Sequence, residues 1–243
     1  DPGRMTLAAT IGILALAAAV QAVSGFGFAL TAVPLLTLAV GPRTAVVTVL
    51  LVGLVLSVGV ALRERGHVRR RDAIAVGVAG LVGMPLGLLL LTTTSERVLT
   101  TVIAVVLLAS VVLIGRGIRL PRGLRTEVGA GLLSGALLTS TSMNGPPRVV
   151  AFQAQGLPAR ERRATLATVF VVHGATAVAL VTASGQVTEG VATLAVAGIP
   201  ALAVGWLAGD RLFRRLEPVG FRRVVLAMLT VTALVALAGA LWG

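Results

Sequence analysis

Ser140-Thr141-Ser142-Met143-Asn144-Gly145-Pro146-Pro147 (140–147) interrupts an apolar stretch that runs from Glu127 to Gln155, and Ser24-Gly25-Phe26-Gly27 (24–27) interrupts another, Thr6–Val40, which also carries Pro34. Backbone that is not helical at membrane depth leaves N–H and C=O groups unpaired, at several kcal/mol each, and persists only where protein or a water-filled cavity satisfies it. Each stretch therefore reads as two shorter helices around a break. Gly25 and Gly27 permit close approach and unusual backbone angles. Pro146 and Pro147 suit the first turn of a new helix, where no amide donor is needed. The second helices, Phe28–Val40 and Pro147–Gln155, then start within the membrane. Free amides and the positive end of the helix dipole at those starts favour an anion.

The rest of the chain places these breaks in a bilayer. Of 243 residues, 56% are hydrophobic and only 12% are charged, about half the charge of a soluble domain; mean hydropathy is +0.99. A span takes about 20 apolar residues at ~1.5 Å each. Six uninterrupted runs fit: Thr44–Leu62, Asp72–Leu91, Val98–Ile114, Ala164–Ala183, Val191–Ala208 and Arg222–Leu241. The four residues before Met5 read as an added remnant, apart from the fold. With no cysteine, two histidines and nine acidic residues, the chain offers no disulfide or thiolate site, and no metal or cofactor is expected. The net charge of +12 comes from 21 basic residues, all arginine, in short clusters between apolar runs. That pattern reads as membrane orientation rather than phosphate binding, so no nucleic-acid partner is expected.

Two weak internal repeats share one offset. Gly41-Pro42-Arg43 recurs as Gly156-Leu157-Pro158 and Gly83-Met84-Pro85 as Gly198-Ile199-Pro200, both 115 positions later. The broken stretches head the two halves, residues 5–118 and 119–243, and paired interrupted segments point to the binding site of a transporter. The arginine clusters at 63–71, 116–125, 158–163 and 211–217 should all be cytoplasmic. Eight full crossings cannot achieve this. A second broken stretch that enters and leaves on the cytoplasmic side can, with Glu127–Leu138 reaching about halfway across. By the repeat, the first stretch is re-entrant from the outside, although Thr6–Ser24 is long enough to cross. The expected fold is an all-α integral membrane protein of two inverted repeats, each a broken re-entrant hairpin (6–40 and 127–155) followed by three transmembrane helices.

Ser24-Gly25-Phe26-Gly27-Phe28-Ala29-Leu30-Thr31-Ala32-Val33-Pro34-Leu35-Leu36 resembles the first signature of the sulfite exporter TauE/SafE family. Asn144-Gly145-Pro146-Pro147, followed by Gln155-Gly156-Leu157-Pro158, resembles its second, and the likeness covers the chain from Met5 onward. The resemblance implies an inner-membrane transporter of small sulfur-containing anions: sulfite, sulfoacetate or related organosulfonates. Two positions depart from the family pattern: Asn144 stands where Gly is usual, and Arg148 where an apolar residue is.

The candidate anion-binding residues are Gln21, Ser24, Gly25, Phe26 and Gly27 at the first break, and Ser142, Asn144, Gly145, Pro147 and Arg148 at the second, with His173 from a neighbouring span. An arginine near the bilayer centre costs at least ~2.5 kcal/mol, which a bound anion offsets; the alternative is a shallower hairpin from which Arg148 snorkels to the interface. His173 could bind the anion, carry a proton, or simply bridge two helices. Gln21 and Gln153 flank the breaks and could donate to an anion or to a neighbouring helix. No GxxxxGK[ST] motif occurs, so ATP hydrolysis is not expected. An intramembrane enzyme using Ser24 or Ser142 with His173 lacks any supporting motif, while a passive anion channel built on the same half-helices is the competing transport reading. Direction of transport and homo-oligomerisation stay open.

Overall fold

The computed structural model describes residues 2–24, 27–63, 68–116, 121, 123–148 and 159–213, together with 230–232 and 234. These residues form α1 (Pro2–Ser24), α2 (Phe28–Val40), α3 (Pro42–Arg63), α4 (Arg70–Thr93), α5 (Glu96–Gly115), α6 (Leu124–Thr141), α7 (Ala159–Ala183) and α8 (Glu189–Phe213), with a helical turn at 145–148. Gly25, Phe26, Gln153, the Gly156-Leu157-Pro158 motif and most of the Arg222–Leu241 run lie outside the described residues. Among the described residues there is no strand, and six helices (α1, α3, α4, α5, α7 and α8) are long and apolar enough to cross a membrane. Their outer faces are apolar too: Ile74, Val82, Leu86, Val196 and Val204 are all well exposed, as lipid-facing residues must be. The chain is a multi-pass membrane protein.

Both breaks fall where Gly and Pro predict, but the helices leading into them are longer than half a membrane. α6 runs for 18 residues, ~27 Å at 1.5 Å each, instead of the twelve expected. Its last turn survives the Ser-Thr-Ser sequence because Ser140 Oγ donates to Ala136 O (2.7 Å) and Thr141 Oγ1 to Leu137 O (2.9 Å), so the hydroxyls bond within the helix instead of ending it. Ser142 then stops the helix in the left-handed region, at φ 57°. α1, at 23 residues, is long enough to span by itself, whereas α2 has 13. Pro34 does not end α2: it is buried inside the helix, where surrounding protein tolerates the lost hydrogen bond.

Tight packing joins elements far apart in sequence. α4 packs most extensively against α6, and α1 against α8. A Cβ added at Gly135 would meet Gly80 O at 1.8 Å, one at Gly87 would meet Ala136 O at 1.9 Å, and one at Gly131 would meet Val76 O at 2.7 Å. In the other pair, Cβ atoms at Gly205 and Gly209 would meet Ala15 O at 2.0 Å and Ala19 O at 2.4 Å. Glycines here let backbones touch, the usual means of packing helices in lipid. In both pairs later residues of one helix meet later residues of the other, so α6 runs parallel to α4 and α1 parallel to α8. α7 also starts beside the start of α4: Arg69 N–H donates to Thr165 Oγ1 (3.0 Å), and Arg69 lies 3.7 Å from Glu161. At the opposite end, Arg43 Nη2 donates to Thr94 O (2.9 Å), joining the start of α3 to the end of α4.

These contacts separate two kinds of glycine. Gly135→Ala and Gly205→Ala drive a methyl into fixed backbone and should destabilise the protein by about 1–3 kcal/mol or more. A methyl at Gly59 would meet nothing within 4 Å, so Gly59→Ala should be tolerated, with a gain of up to ~1 kcal/mol. Thermal unfolding of the detergent-solubilised protein checks both.

Candidate functional site

The two breaks meet at one cavity. Gln21 from α1, Phe28, Ala29 and Leu30 from the first turn of α2, and Ser142, Met143, Asn144 and Gly145 from the second break line a space of about 70 Å³. α3 closes it with Val49, Leu50, Gly53, Leu54 and Ser57, and α7 with Phe170 and Gly174. One water needs roughly 10–15 Å³ by this kind of measure, so the cavity has room for several waters or one small oxyanion. The wall is largely apolar, and its polar groups come mainly from the breaks.

Each break is pinned by hydrogen bonds that its own sequence supplies. Gln21 Oε1 accepts the Phe28 N–H (2.9 Å), so this side chain closes the gap before α2. The Ala29 and Leu30 amides that follow belong to a first turn without intrahelical acceptors. At the second break, Ser134 Oγ donates to Asn144 O (3.1 Å), Ser142 Oγ to Val46 O (2.9 Å), and the Met143 N–H to Thr141 Oγ1 (3.3 Å). Thr139 Oγ1 donates to Met84 O (2.7 Å), tying the end of α6 to α4. Ser142 is thus held as a donor to α3 and not to His173.

Behind the cavity wall lies the charge. Arg148 is fully buried, in the helical turn that Gly145, Pro146 and Pro147 begin; it does not snorkel. Its guanidinium stands over the Phe170 ring, 5.0 Å from the centroid. Arg148 Nη2 is hydrogen-bonded to His173 Nδ1, and His173 Nε2 lies 2.7 Å from Gly77 O. A carbonyl can only accept and a guanidinium can only donate, so His173 carries its proton on Nε2 and accepts at Nδ1. The buried Nε and Nη1 of Arg148 have no hydrogen-bond partner among the described residues. Nor does any carboxylate among those residues pair with Arg148.

Of the sequence-derived candidates, Gln21, Ser142, Asn144 and Gly145 share the cavity, and Arg148 and His173 form one cluster beside it, linked through Phe170. Gly27 is the N-cap of α2, and Pro147 is in the turn that carries Arg148. Gly25, Phe26 and the Ser24 side chain lie outside what the structure describes. Phe170, Gly77 and Ser134 escaped the sequence reading. Phe170 had a signal, since it precedes His173 by three residues and shares its helix face. Gly77 acts through its backbone, 96 positions from His173, and leaves no mark in the sequence.

These features define a polytopic helical membrane protein in which two interrupted helical segments converge on a small cavity, and behind its wall stands a buried arginine with no carboxylate partner among the described residues. The family model described as Sulfite exporter TauE/SafE matches residues 10–236. The chain belongs to that family. No curated protein and no solved structure matches it significantly.

The hydrogen bonds at the breaks predict different costs for two cavity-lining residues. Gln21→Ala strands the Phe28 amide and should lower stability by about 1–3 kcal/mol. Ser57 Oγ donates only to Gly53 O, within α3 (2.7 Å); Ser57→Ala leaves no buried donor stranded and should change stability little. Thermal unfolding of the two variants side by side separates them.

Proposed function

We propose that the chain is a secondary transporter of small sulfur-containing anions, such as sulfite, sulfoacetate or other organosulfonates, bound near the midplane where the two breaks meet. The observation that carries this reading is the buried Arg148, whose Nε and Nη1 lack partners among the described residues, beside a cavity lined by both breaks. An unpaired buried charge is strongly destabilising, and a transported anion is the partner that balances it. The first-turn amides of α2 add donors of the same kind. The family membership supports the sulfur-anion class, and no resident cofactor is required.

The proposed topology places the protein in the inner membrane as two inverted repeats. Packing supports it. Arg69 meets Glu161 and Thr165, so the start of α4 and the start of α7 share one side. α6 runs parallel to α4 and starts on that side as well. On this reading the second broken segment enters and leaves on that side, which the positive-inside rule assigns to the cytoplasm. α1 runs parallel to α8, which starts from the opposite side, where α2 also ends. The first broken segment enters and leaves there.

Two experiments test the proposal. Single cysteines at Arg70, Arg122 and Arg162 on this cysteine-free chain should label only from the cytoplasm, and one at Gln186 only from outside; opposite labelling of positions 122 and 162 overturns the inverted arrangement. Arg148→Ala removes a charge-assisted contact of about 1.5–3 kcal/mol, so sulfite binding by calorimetry should weaken by roughly 10- to 100-fold. Arg148→Gln should recover part of the loss, and Arg97→Ala, at an exposed position, should leave binding unchanged. Binding by Arg148→Ala within twofold of the parent removes this residue from the site. Uphill uptake into proteoliposomes distinguishes a transporter from a channel.

A further inference from the structure

Resting on the anion site proposed above, we infer that the site selects by charge and so narrows that substrate class: it takes monoanions (hydrogensulfite or a singly charged sulfonate, R–SO₃⁻) and rejects dianions such as sulfate and, once its carboxylate is ionised, sulfoacetate. The inference comes from counting the charge that the buried groups can carry. Arg148 supplies one positive charge and stays protonated. His173, its side-chain hydrogen-bond partner, supplies none. With Nε2 facing Gly77 O and Nδ1 facing Arg148 Nη2, both ring nitrogens are committed, and a second proton on Nδ1 would break the contact with Arg148 and place two cations together.

Among the described residues, the surroundings do not alter that count. Around the cavity, α1 contributes Gln21, α2 and α3 apolar residues and Ser57, the second break Ser142 and Asn144, and α7 Phe170 and Gly174. None is ionisable. Glu127 is buried at the start of α6 but is not a partner of Arg148, whose Nε and Nη1 stay unpaired among the described residues. A monoanion therefore leaves the cluster neutral. A dianion leaves one net negative charge buried in an apolar wall, with a desolvation cost that works against binding. The same count favours an organic sulfonate with a small apolar substituent, which Phe28, Leu54 and Met143 would face.

The test uses the whole purified chain in detergent or nanodiscs, titrated by calorimetry with methanesulfonate, a permanent monoanion, and with sulfate, a dianion throughout the accessible range. Sulfite is titrated below and above its second ionisation. Methanesulfonate should bind at least ~10-fold more tightly than sulfate. Sulfite affinity should fall as pH rises in proportion to the loss of hydrogensulfite, while methanesulfonate affinity stays flat over the same range. Sulfate binding as tightly as methanesulfonate, with both weakened in Arg148→Ala, overturns charge selection and leaves the site standing. If both anions bind Arg148→Ala as they bind the parent, the site itself falls. No binding of any of the three anions to the parent protein overturns both. Because the comparison among anions is made on the parent chain, it does not depend on how well the variant folds.

Discussion

Arg148 is a guanidinium with no exposed surface and, among the described residues, no carboxylate partner and two nitrogens without hydrogen bonds. A soluble protein would place such a group in water; here the surrounding protein encloses it completely. Stacking on Phe170 offsets about 0.5–2 kcal/mol, and the neutral His173 accepts one hydrogen bond. Neither removes the charge. The local architecture holds that charge beside the cavity where the two breaks meet. Pro146 and Pro147 begin the helical turn that carries Arg148, a glycine-rich α4 lets His173 reach a backbone carbonyl, and two interrupted segments bring their ends to one cavity.

Holding the charge depends on close packing. A Cβ at Gly80 would sit 2.1 Å from His173 Cε1, so the imidazole occupies space that only glycine leaves open. The glycines at 83, 87, 131 and 135 then let α4 and α6 approach until backbones touch. α6 carries the second break, and α4 carries the carbonyl that fixes the His173 tautomer. The position of the cation therefore rests on helix contacts spread over much of the chain, not on the motif that contains it.

Much of the fold was legible in residues whose chemistry is local. Apolar runs of membrane length marked the spans, Gly25 to Gly27 marked the start of α2 at Phe28, and Asn144 to Pro147 marked the second turn. What was not legible depends on partners far away in sequence. The i−4 bonds of Ser140 and Thr141 extended α6 beyond its expected end, because a hydroxyl can serve a helix or break it according to its surroundings. Gly131-x-x-x-Gly135, Gly83-x-x-x-Gly87 and Gly205-x-x-x-Gly209 have the spacing that lets helices touch, but nothing in that spacing names the helix each one meets. At the site, Arg148 and His173 were singled out separately for their cost in lipid. Their contact, and the forced tautomer, follow only from the packing of α7 on α4.

The central claim is that the transported anion completes the hydrogen bonding of Arg148 in the space between the two breaks. Its most direct test is a structure of the chain loaded with hydrogenselenite, in which selenium can be located by its anomalous scattering. A single strong site is expected within hydrogen-bonding reach of Arg148 Nε or Nη1, beside Phe170 and the first turn of α2. Selenium found only among the arginine-rich loops, away from Arg148, would contradict it.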